Sequence, residues 1–408
     1  MIERDIKLQD GVNYVLIGLR RAGKSFMMFS DIQSRLQKGE IVIEDVIYIN
    51  FEDERLLEIT SEDLQNIISS YREMFENQNP LIYLDEIQNV EGWEKYVRRL
   101  ADAGYKVWVT GSNAKMLSRE MASTLGGRYV IKYIPTFSFI EFLKYHEIVP
   151  GKSWEYDAEE KLLLKKYLNE YFYYGGFAET FRLVDKREWT NSLYLKILFG
   201  DIIARNGYRN DRGIVLLARK LAESVKQPLT HTRLLNILKS TGVTITRNTI
   251  AEYLENLDNS FLTFSISNYK QSLAERVSES KHYFSDNGLL NNFLIDPQTS
   301  LLENIVAIQL NKIYFHDMNR EVFYYRNGIE VDFYIPISKL AVQVAYDISR
   351  EDTFLREVEA LYKFSKVVEL KSFAIITFEP SPKRTINYKS IQITQISLLE
   401  FLINGLES

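Results

Sequence analysis

Lys24, Ser25, Asp85 and Glu86 are the residues whose types and spacing point to chemistry. Lys24 and Ser25 close the stretch Gly18-Leu19-Arg20-Arg21-Ala22-Gly23-Lys24-Ser25, which fits G-x-x-x-x-G-K-[ST], the phosphate-binding P-loop. Gly18 and Gly23 allow a backbone that curls around an anion. The N–H groups of such a loop and the helix N-terminus behind it supply partial positive charge to phosphates. Lys24 adds a full charge, and the Ser25 hydroxyl suits Mg²⁺. Leu19, Ala22 and Phe26 complete the nucleotide-binding stretch, while Arg20 and Arg21 face either phosphates or solvent. Asp85 and Glu86 end the apolar run Leu81-Ile82-Tyr83-Leu84, as in a Walker B strand. There Asp85 would hold Mg²⁺, directly or through water, and Glu86 would polarise the attacking water as general base. The bland alternatives are a glycine turn before an ordinary helix and a buried strand that ends in solvated acids. The two motifs together, in their flanks, favour the phosphate site.

The elements around these residues follow from apolar spacing. Val12 to Ile17 reads as a strand, and Phe26, Phe29, Ile32 and Leu36 recur at helical intervals through Gln37. Val42 to Phe51 predicts a second strand. Thr60 or Ser61 predicts an N-cap for a helix through Phe75, with Glu62 and Asp63 in its first turn. The run before Asp85 is apolar on both faces, as a central parallel strand is, and its C-terminal end lies where an open α/β sheet binds ligands. A helix from Trp93 to Ala101 and a strand from Lys106 with the polar tip Thr110-Gly111-Ser112-Asn113 follow.

With 408 residues the chain should hold two to three domains, and 46% apolar content is ample for packed cores. There is no cysteine, which excludes disulfides and zinc–thiolate sites and suits a reducing cytoplasm. The charged opening residues and the lack of an apolar run near the length of a span predict neither a signal peptide nor a membrane helix. A net charge of −5 argues against a polybasic nucleic-acid coat, and four unpaired histidines against a histidine metal site.

The P-loop form, Leu84-Asp85-Glu86-Ile87-Gln88, Thr110-Gly111-Ser112-Asn113, Gly126-Gly127-Arg128-Tyr129 and Phe137-Ser138-Phe139-Ile140-Glu141-Phe142-Leu143 together resemble a family of prokaryotic AAA-type ATPases. Its members pair this ATPase domain with a C-terminal domain of unknown function. The resemblance implies an AAA+ P-loop fold over residues 1–145, with phosphate, Mg²⁺ and base roles at Lys24, Ser25, Asp85 and Glu86. It also implies ATP and Mg²⁺ as ligands; no guanine-reading Asn/Thr-Lys-x-Asp segment is evident. Ser112 or Asn113, with Thr110 behind them, would sense the γ-phosphate, unless the segment is only a turn. Arg128 is either an arginine finger, on its own or a neighbouring subunit's nucleotide, or the partner of an acid. A finger that acts across subunits would imply a homo-oligomer.

Residues 146–205 read as a helical lid or linker, with a break at Pro150-Gly151 and a further family-like turn, Tyr174-Gly175-Gly176-Phe177. Residues 206–250 hold eight Lys or Arg, Arg209 among them, against Asp211 and Glu223. Two helical patterns near 230–240 and 246–257 flank the turn Thr241-Gly242-Val243, and Phe261 to Tyr269 resembles a wing. Over 206–275 this predicts a winged helix, which either contacts DNA through Arg233, Arg247 and Asn248 or serves only for packing and protein contact.

Residues 276–408 resemble the restriction-endonuclease-like fold with its PD-(D/E)-x-K pattern. A helix opens at Leu301, Asn327-Gly328 joins two strands as a hairpin, and a strand from Ala341, a helix from Thr353 and a strand from Phe373 follow. Glu303 and Asp332 match the first two acids, but Gln343 and Ala345 stand where the pattern wants an acid and a lysine. Gln is a neutral ligand, and Ala neither orients water nor neutralises phosphate. The expected site is therefore degenerate, with any residual Mg²⁺-dependent cleavage routed through Glu330 or Asp347. The full expectation is an α/β chain: a parallel-sheet ATPase, then a helical winged-helix region, then an inactive nuclease-like domain. Two functions are in play, ATP hydrolysis that drives this module and a nucleotide-gated switch that binds DNA or a protein; an ATP-coupled nuclease ranks last.

Overall fold

The computed structural model describes residues 2–77, 79–117, 123–208, 211–269, 276, 279–316, 319–378 and 383–406. Arg209 lies outside the described residues. Contacts divide the chain into two units, Met1–Thr136 with Asn259–Phe261, and the remainder.

The first unit is built on a five-stranded parallel sheet among the described residues. Its strands are β1 (Asn13–Ile17), β2 (Val46–Asn50), β3 (Leu81–Asp85), β4 (Lys106–Gly111) and β5 (Tyr129–Tyr133), in spatial order β2-β3-β4-β1-β5. The helices α1 (Lys24–Gln37), α2 (Asn66–Met74) and α3 (Trp93–Asp102) are the chief connections. Parallel strands need such crossovers, and the sheet is buried accordingly, with Leu16, Met28, Tyr83, Trp108 and Ile134 in one apolar cluster. This is the P-loop ATPase fold, as the sequence predicts. Three local expectations shift. A short 3₁₀ turn holds Ile43–Asp45, so β2 starts at Val46 rather than Val42. Thr60 bonds through both its N–H and its hydroxyl to Asp63, and the helix begins only at Asn66. Phe26, read as part of the inward stripe of α1, is 62% exposed. The edge strand β5 was not anticipated; it pairs with β1 from Asn13↔Tyr129 to Ile17↔Tyr133.

The second unit takes in the helix Phe139–Tyr145, and the contacts part after Thr136. The reason is local: the Ser138–Glu141 capping box starts that helix, and its Phe142 packs on Tyr171 and Phe181. The segment 193–203 is the end of an α-helix followed by a π-helical stretch, Lys196–Ala204. Next come the helices Arg212–Glu223, His231–Ser240 and Arg247–Asn259. A three-stranded antiparallel sheet goes with them: Leu229–Thr230, Glu279–Phe284 and Thr263–Ser267, in that spatial order. The strand Glu279–Phe284 lies within residues 276–408, which by sequence resemble the restriction-endonuclease-like fold. Its register with Thr263–Ser267, Thr263↔Phe284 to Ser267↔Ser280, shows that it belongs to this sheet.

The remaining core is a six-stranded mixed sheet that begins with Phe323–Arg326, Glu330–Ile335 and Leu340–Ala345 and continues with Ser372–Thr377, Ile391–Ser397 and Arg384–Tyr388. The first three strands are antiparallel neighbours and the next two join in parallel, with the helix Glu351–Phe364 as crossover. The hairpin turn is Asn327-Gly328-Ile329, three residues long because Arg326 pairs with Glu330. Among the described residues, no helix is long and apolar enough to cross a membrane.

Candidate functional site

The P-loop runs from the end of β1 to the start of α1, at the C-terminal edge of the first sheet. Gly18 lies against the end of β5, and a Cβ there would stand 2.2 Å from the Ile134 carbonyl oxygen. Gly23 takes φ 97°, a left-handed conformation that costs L side chains strain. The loop backbone thus depends on both glycines.

Lys24 is buried, and its ammonium donates to the Gly18 carbonyl at 3.1 Å and the Leu19 carbonyl at 3.3 Å. It also pairs with Glu86 at 3.3 Å. Glu86 stands just past β3 with φ 52°, a conformation that non-glycine residues adopt only where their surroundings hold them. Its N–H donates to the Thr110 hydroxyl at 2.9 Å. Burial would raise its pKa, but the Lys24 charge, the Gln88 amide, Arg20 and the Ser112 hydroxyl hold it below the usual carboxylate value. Asp85 is held at both oxygens, by the Thr110 hydroxyl and by the Tyr48 hydroxyl at 2.8 Å. Burial, with Asp85 and Glu86 nearby, raises Tyr48 above the ordinary tyrosine value, so it remains a donor. Thr110 therefore sits behind the acids and fixes them both. Tyr48 does the same for Asp85 from β2, and neither bond could be read from linear spacing.

Other predicted residues fall in different places. Ser25 is half-buried at the second position of α1, and Asn113 is half-buried past the end of β4. Leu19 and Ala22 are buried under the loop. Arg20 makes a two-pronged bond to Glu52, at 2.5 and 3.2 Å, while Arg21 is exposed at φ 66°. Arg128 bonds Asp102 and the Gly126 carbonyl. Asp102 ends α3 and Arg128 precedes β5, so both lie at the N-terminal edge of the sheet. The P-loop is at the other edge. The acid-pair reading of Arg128 is the one realised within the chain, which removes it from its own nucleotide site.

The residues fit a nucleotide with Mg²⁺: a loop cradle, a buried lysine, and an aspartate that a hydroxyl pair aims. No group of three or more His, Cys, Asp or Glu poised for a metal occurs among the described residues. A P-loop Mg²⁺ needs none, since it takes one or two protein oxygens and the substrate's phosphates.

Residues 12–143 match the family model of an AAA domain, and residues 165–300 match a domain of unknown function (DUF8612). An uncharacterized protein of Methanocaldococcus jannaschii is 34% identical over 389 residues, which covers 93% of this chain and 85% of that one. The chain belongs to the family of prokaryotic AAA-domain proteins that carry a C-terminal domain of unknown function. A further member, from Haemophilus influenzae, is 31% identical over 367 residues, 85% of this chain and 88% of that one. Among solved structures, the Walker-type ATPase of Pyrococcus abyssi aligns over 69% of this AAA-domain protein and 90% of its own length, at 14% identity and a TM-score of 0.45. That likeness is too slight to build on.

A second charged cluster lies in the later unit. The Lys281 ammonium, fully buried, pairs with Glu303 at 3.1 Å, Glu330 at 3.2 Å and Asp332 at 3.3 Å. Burial opposes its charge, but the three carboxylates hold its pKa above the ordinary lysine value. The Tyr283 hydroxyl, two residues on and so on the same strand face, donates to Glu303 at 2.8 Å. Glu330, read with Glu303 and Asp332 as part of the degenerate nuclease site, belongs to this cluster. Gln343, expected as the third ligand, meets the cluster only through backbone: its amide oxygen accepts from the Asp332 N–H at 2.8 Å, and its amide nitrogen donates to the Glu330 carbonyl at 3.2 Å and to Glu357 at 2.8 Å. Asp347 turns to Ser349 on the surface. Lys281 was not anticipated, because the sequence around it reads only as a strand. Arg233, Arg247 and Asn248 are exposed, at the starts of their helices.

Proposed function

We propose that this protein is an ATPase of the AAA+ kind that binds Mg·ATP at Gly18–Ser25 and hydrolyses it with Glu86. The observation that carries this reading is the buried Lys24–Glu86 pair at 3.3 Å, beside an Asp85 already oriented by Thr110 and Tyr48. Phosphate oxygens compete with Glu86 for the Lys24 ammonium. Once Lys24 turns to them, Glu86 is an ionised carboxylate without its cation, which is what a general base requires. Glu86 takes a proton from water as the water oxygen bonds to the γ-phosphorus. The bond to the bridging oxygen breaks, and ADP leaves with the electron pair. Ser25 and Asp85 are the residues that would hold Mg²⁺, which when bound neutralises charge on the phosphate oxygens. With Arg128 across the sheet, an arginine finger from that residue would have to come from a neighbouring subunit in a homo-oligomer. A reducing cytoplasm suits a chain with no cysteine.

In this reading the ATPase domain, residues 1–145, works through the lid or linker 146–205 on the later modules. Three helices and a three-stranded sheet support a winged helix over 206–275, completed by the strand Glu279–Phe284. The mixed sheet supports a nuclease-like module within 276–408. Phosphate release is the test. The wild type should turn over slowly, Glu86→Gln should stop turnover yet bind ATP, and Lys24→Ala should lose binding. A wild type that releases no phosphate at any ATP and Mg²⁺ concentration, with or without DNA, ends the enzymatic reading.

A second reading, a nucleotide-gated switch that binds DNA or a protein partner, is favoured by the exposed Arg233, Arg247 and Asn248. Glu252 and Glu255 are also exposed on the helix that starts with Arg247. They would repel phosphates, so contact would be confined to its first turn. Cleavage of DNA ranks last. The Lys281 ammonium sits among the three acids that a cleaving Mg²⁺ would require, and Ala345 offers no replacement for a lysine on that strand.

A further inference from the structure

Gln343 and Gln88 hold their side-chain amides in different ways. Gln343 is satisfied at both ends by two backbone groups and Glu357, as a structural amide is. Gln88 is not. Its amide nitrogen donates to Glu86 at 2.6 Å, on the carboxylate oxygen that Lys24 does not hold. Its carbonyl oxygen is buried and has no hydrogen-bond partner among the described residues. The carboxylate accepts only, so it dictates which end of the amide faces it. The other end is left against Gly111, where a Cβ would stand 2.6 Å from that oxygen. Glycine at the end of β4 leaves room that this carbonyl shares with the Met116 sulfur.

A buried acceptor with no partner is destabilising. A group there for packing alone would gain from an apolar replacement. We propose that Gln88 is a positioning residue for hydrolysis, which aims the Glu86 carboxylate at the attacking water once Lys24 has moved to the phosphates. The inference rests on the ATPase reading above. Lys24 and Gln88 hold different oxygens of Glu86, so the loss of one partner to the nucleotide leaves the carboxylate fixed by the other. The backbone cooperates: the Glu86 N–H is pinned to Thr110, and the 3₁₀ turn Ile87–Asn89 places Gln88 two residues on, beside its target.

The test compares steady-state phosphate release and Mg·ATP binding by calorimetry in wild type, Gln88→Leu, Gln88→Asn and Glu86→Gln. Gln88→Leu should lower kcat by about tenfold or more, the scale on which a general base is felt, with Kd and KM for ATP within about twofold of wild type. Gln88→Asn, which keeps the amide on a shorter arm, should recover part of the loss. If wild type turns over and Gln88→Leu matches it in kcat, this inference falls while the ATPase reading stands. If Gln88→Leu loses kcat and ATP affinity together and Gln88→Asn rescues neither, Gln88 is structural and the inference also falls. No turnover in wild type removes the ATPase reading itself, and this inference with it.

Discussion

The Lys281 ammonium lies 3.1 Å from a carboxylate oxygen of Glu303, inside the protein and with Glu330 and Asp332 as its other partners. Removing the Lys281 ammonium leaves the buried Glu303 carboxylate without its cation, at a cost of about 3–5 kcal/mol. Lys281→Met should lower the stability of the later unit by that order in urea unfolding. A variant with Glu303→Gln added should regain part of the loss. A Lys281→Met protein as stable as wild type would mean that water already screens the cluster.

Lys24 and Glu86 lend themselves to opposite substitutions. Glu86→Gln keeps size but can accept from only one of the two donors, Lys24 and Gln88, that hold the carboxylate; it removes the base, so kcat should fall by about 10²-fold or more with ATP still bound. Lys24→Ala removes the charge that meets the phosphates and should weaken binding before any effect on chemistry can be read. Equal losses of binding in both variants would contradict the separate roles. Calorimetry and phosphate release on the same preparations check this.

Asp286 bridges two backbone N–H groups, with one oxygen 2.9 Å from Gly176 N and the other 2.8 Å from Gly288 N. It is 2% exposed, so water cannot replace it. Asp286→Ala should destabilise the unit that holds these residues by about 2 kcal/mol or more, since each unpaired buried donor costs about 1–3 kcal/mol. An unfolding midpoint unchanged from wild type would refute the bridge.

Glu155 lies beside Glu400, and its pKa is raised to about 7, chiefly by a hydrogen bond to Glu400 and then by burial. The unfolded side chain releases its proton near the ordinary glutamate value of 4.5, whereas the folded one keeps it until about pH 7. Between those limits the folded state binds more protons, so stability falls as pH rises through the window. Glu155→Gln keeps a donor toward Glu400 and should flatten that fall. Thermal melts between pH 4.5 and 7 that run parallel in both proteins would show that the pair does not share a proton.

Arg233 and Arg247 offer the test of DNA contact. If their side chains meet phosphates, alanine at both should weaken binding alike for all sequences and reduce the slope of log affinity against log salt by about 2. Gel shifts at several salt concentrations give that slope. Unchanged affinity would leave this region as a packing or protein-binding module.

The P-loop, its flanking strand and helix, and the two acids at the end of β3 were all legible in the sequence. They were legible because a phosphate site depends on local backbone: two glycines, a lysine at a fixed offset, a strand that ends in acids. The hairpin around Asn327-Gly328 and the start of the helix near Thr230 were readable for the same reason. Thr110 and Tyr48 as the holders of Asp85 were not, since they come from neighbouring strands and only the parallel register brings them together. Arg128 stood in a family-like motif, yet the direction of β5 put it at the far edge of its sheet. Gln343 took the linear place of a missing acid, but its amide turned to Glu357. The charged partner of Glu303 came from a strand of another sheet, and no spacing along the chain records that. Local chemistry was thus written in the order of residues, while the choice of partners for buried charges waited for strands distant in sequence to pair.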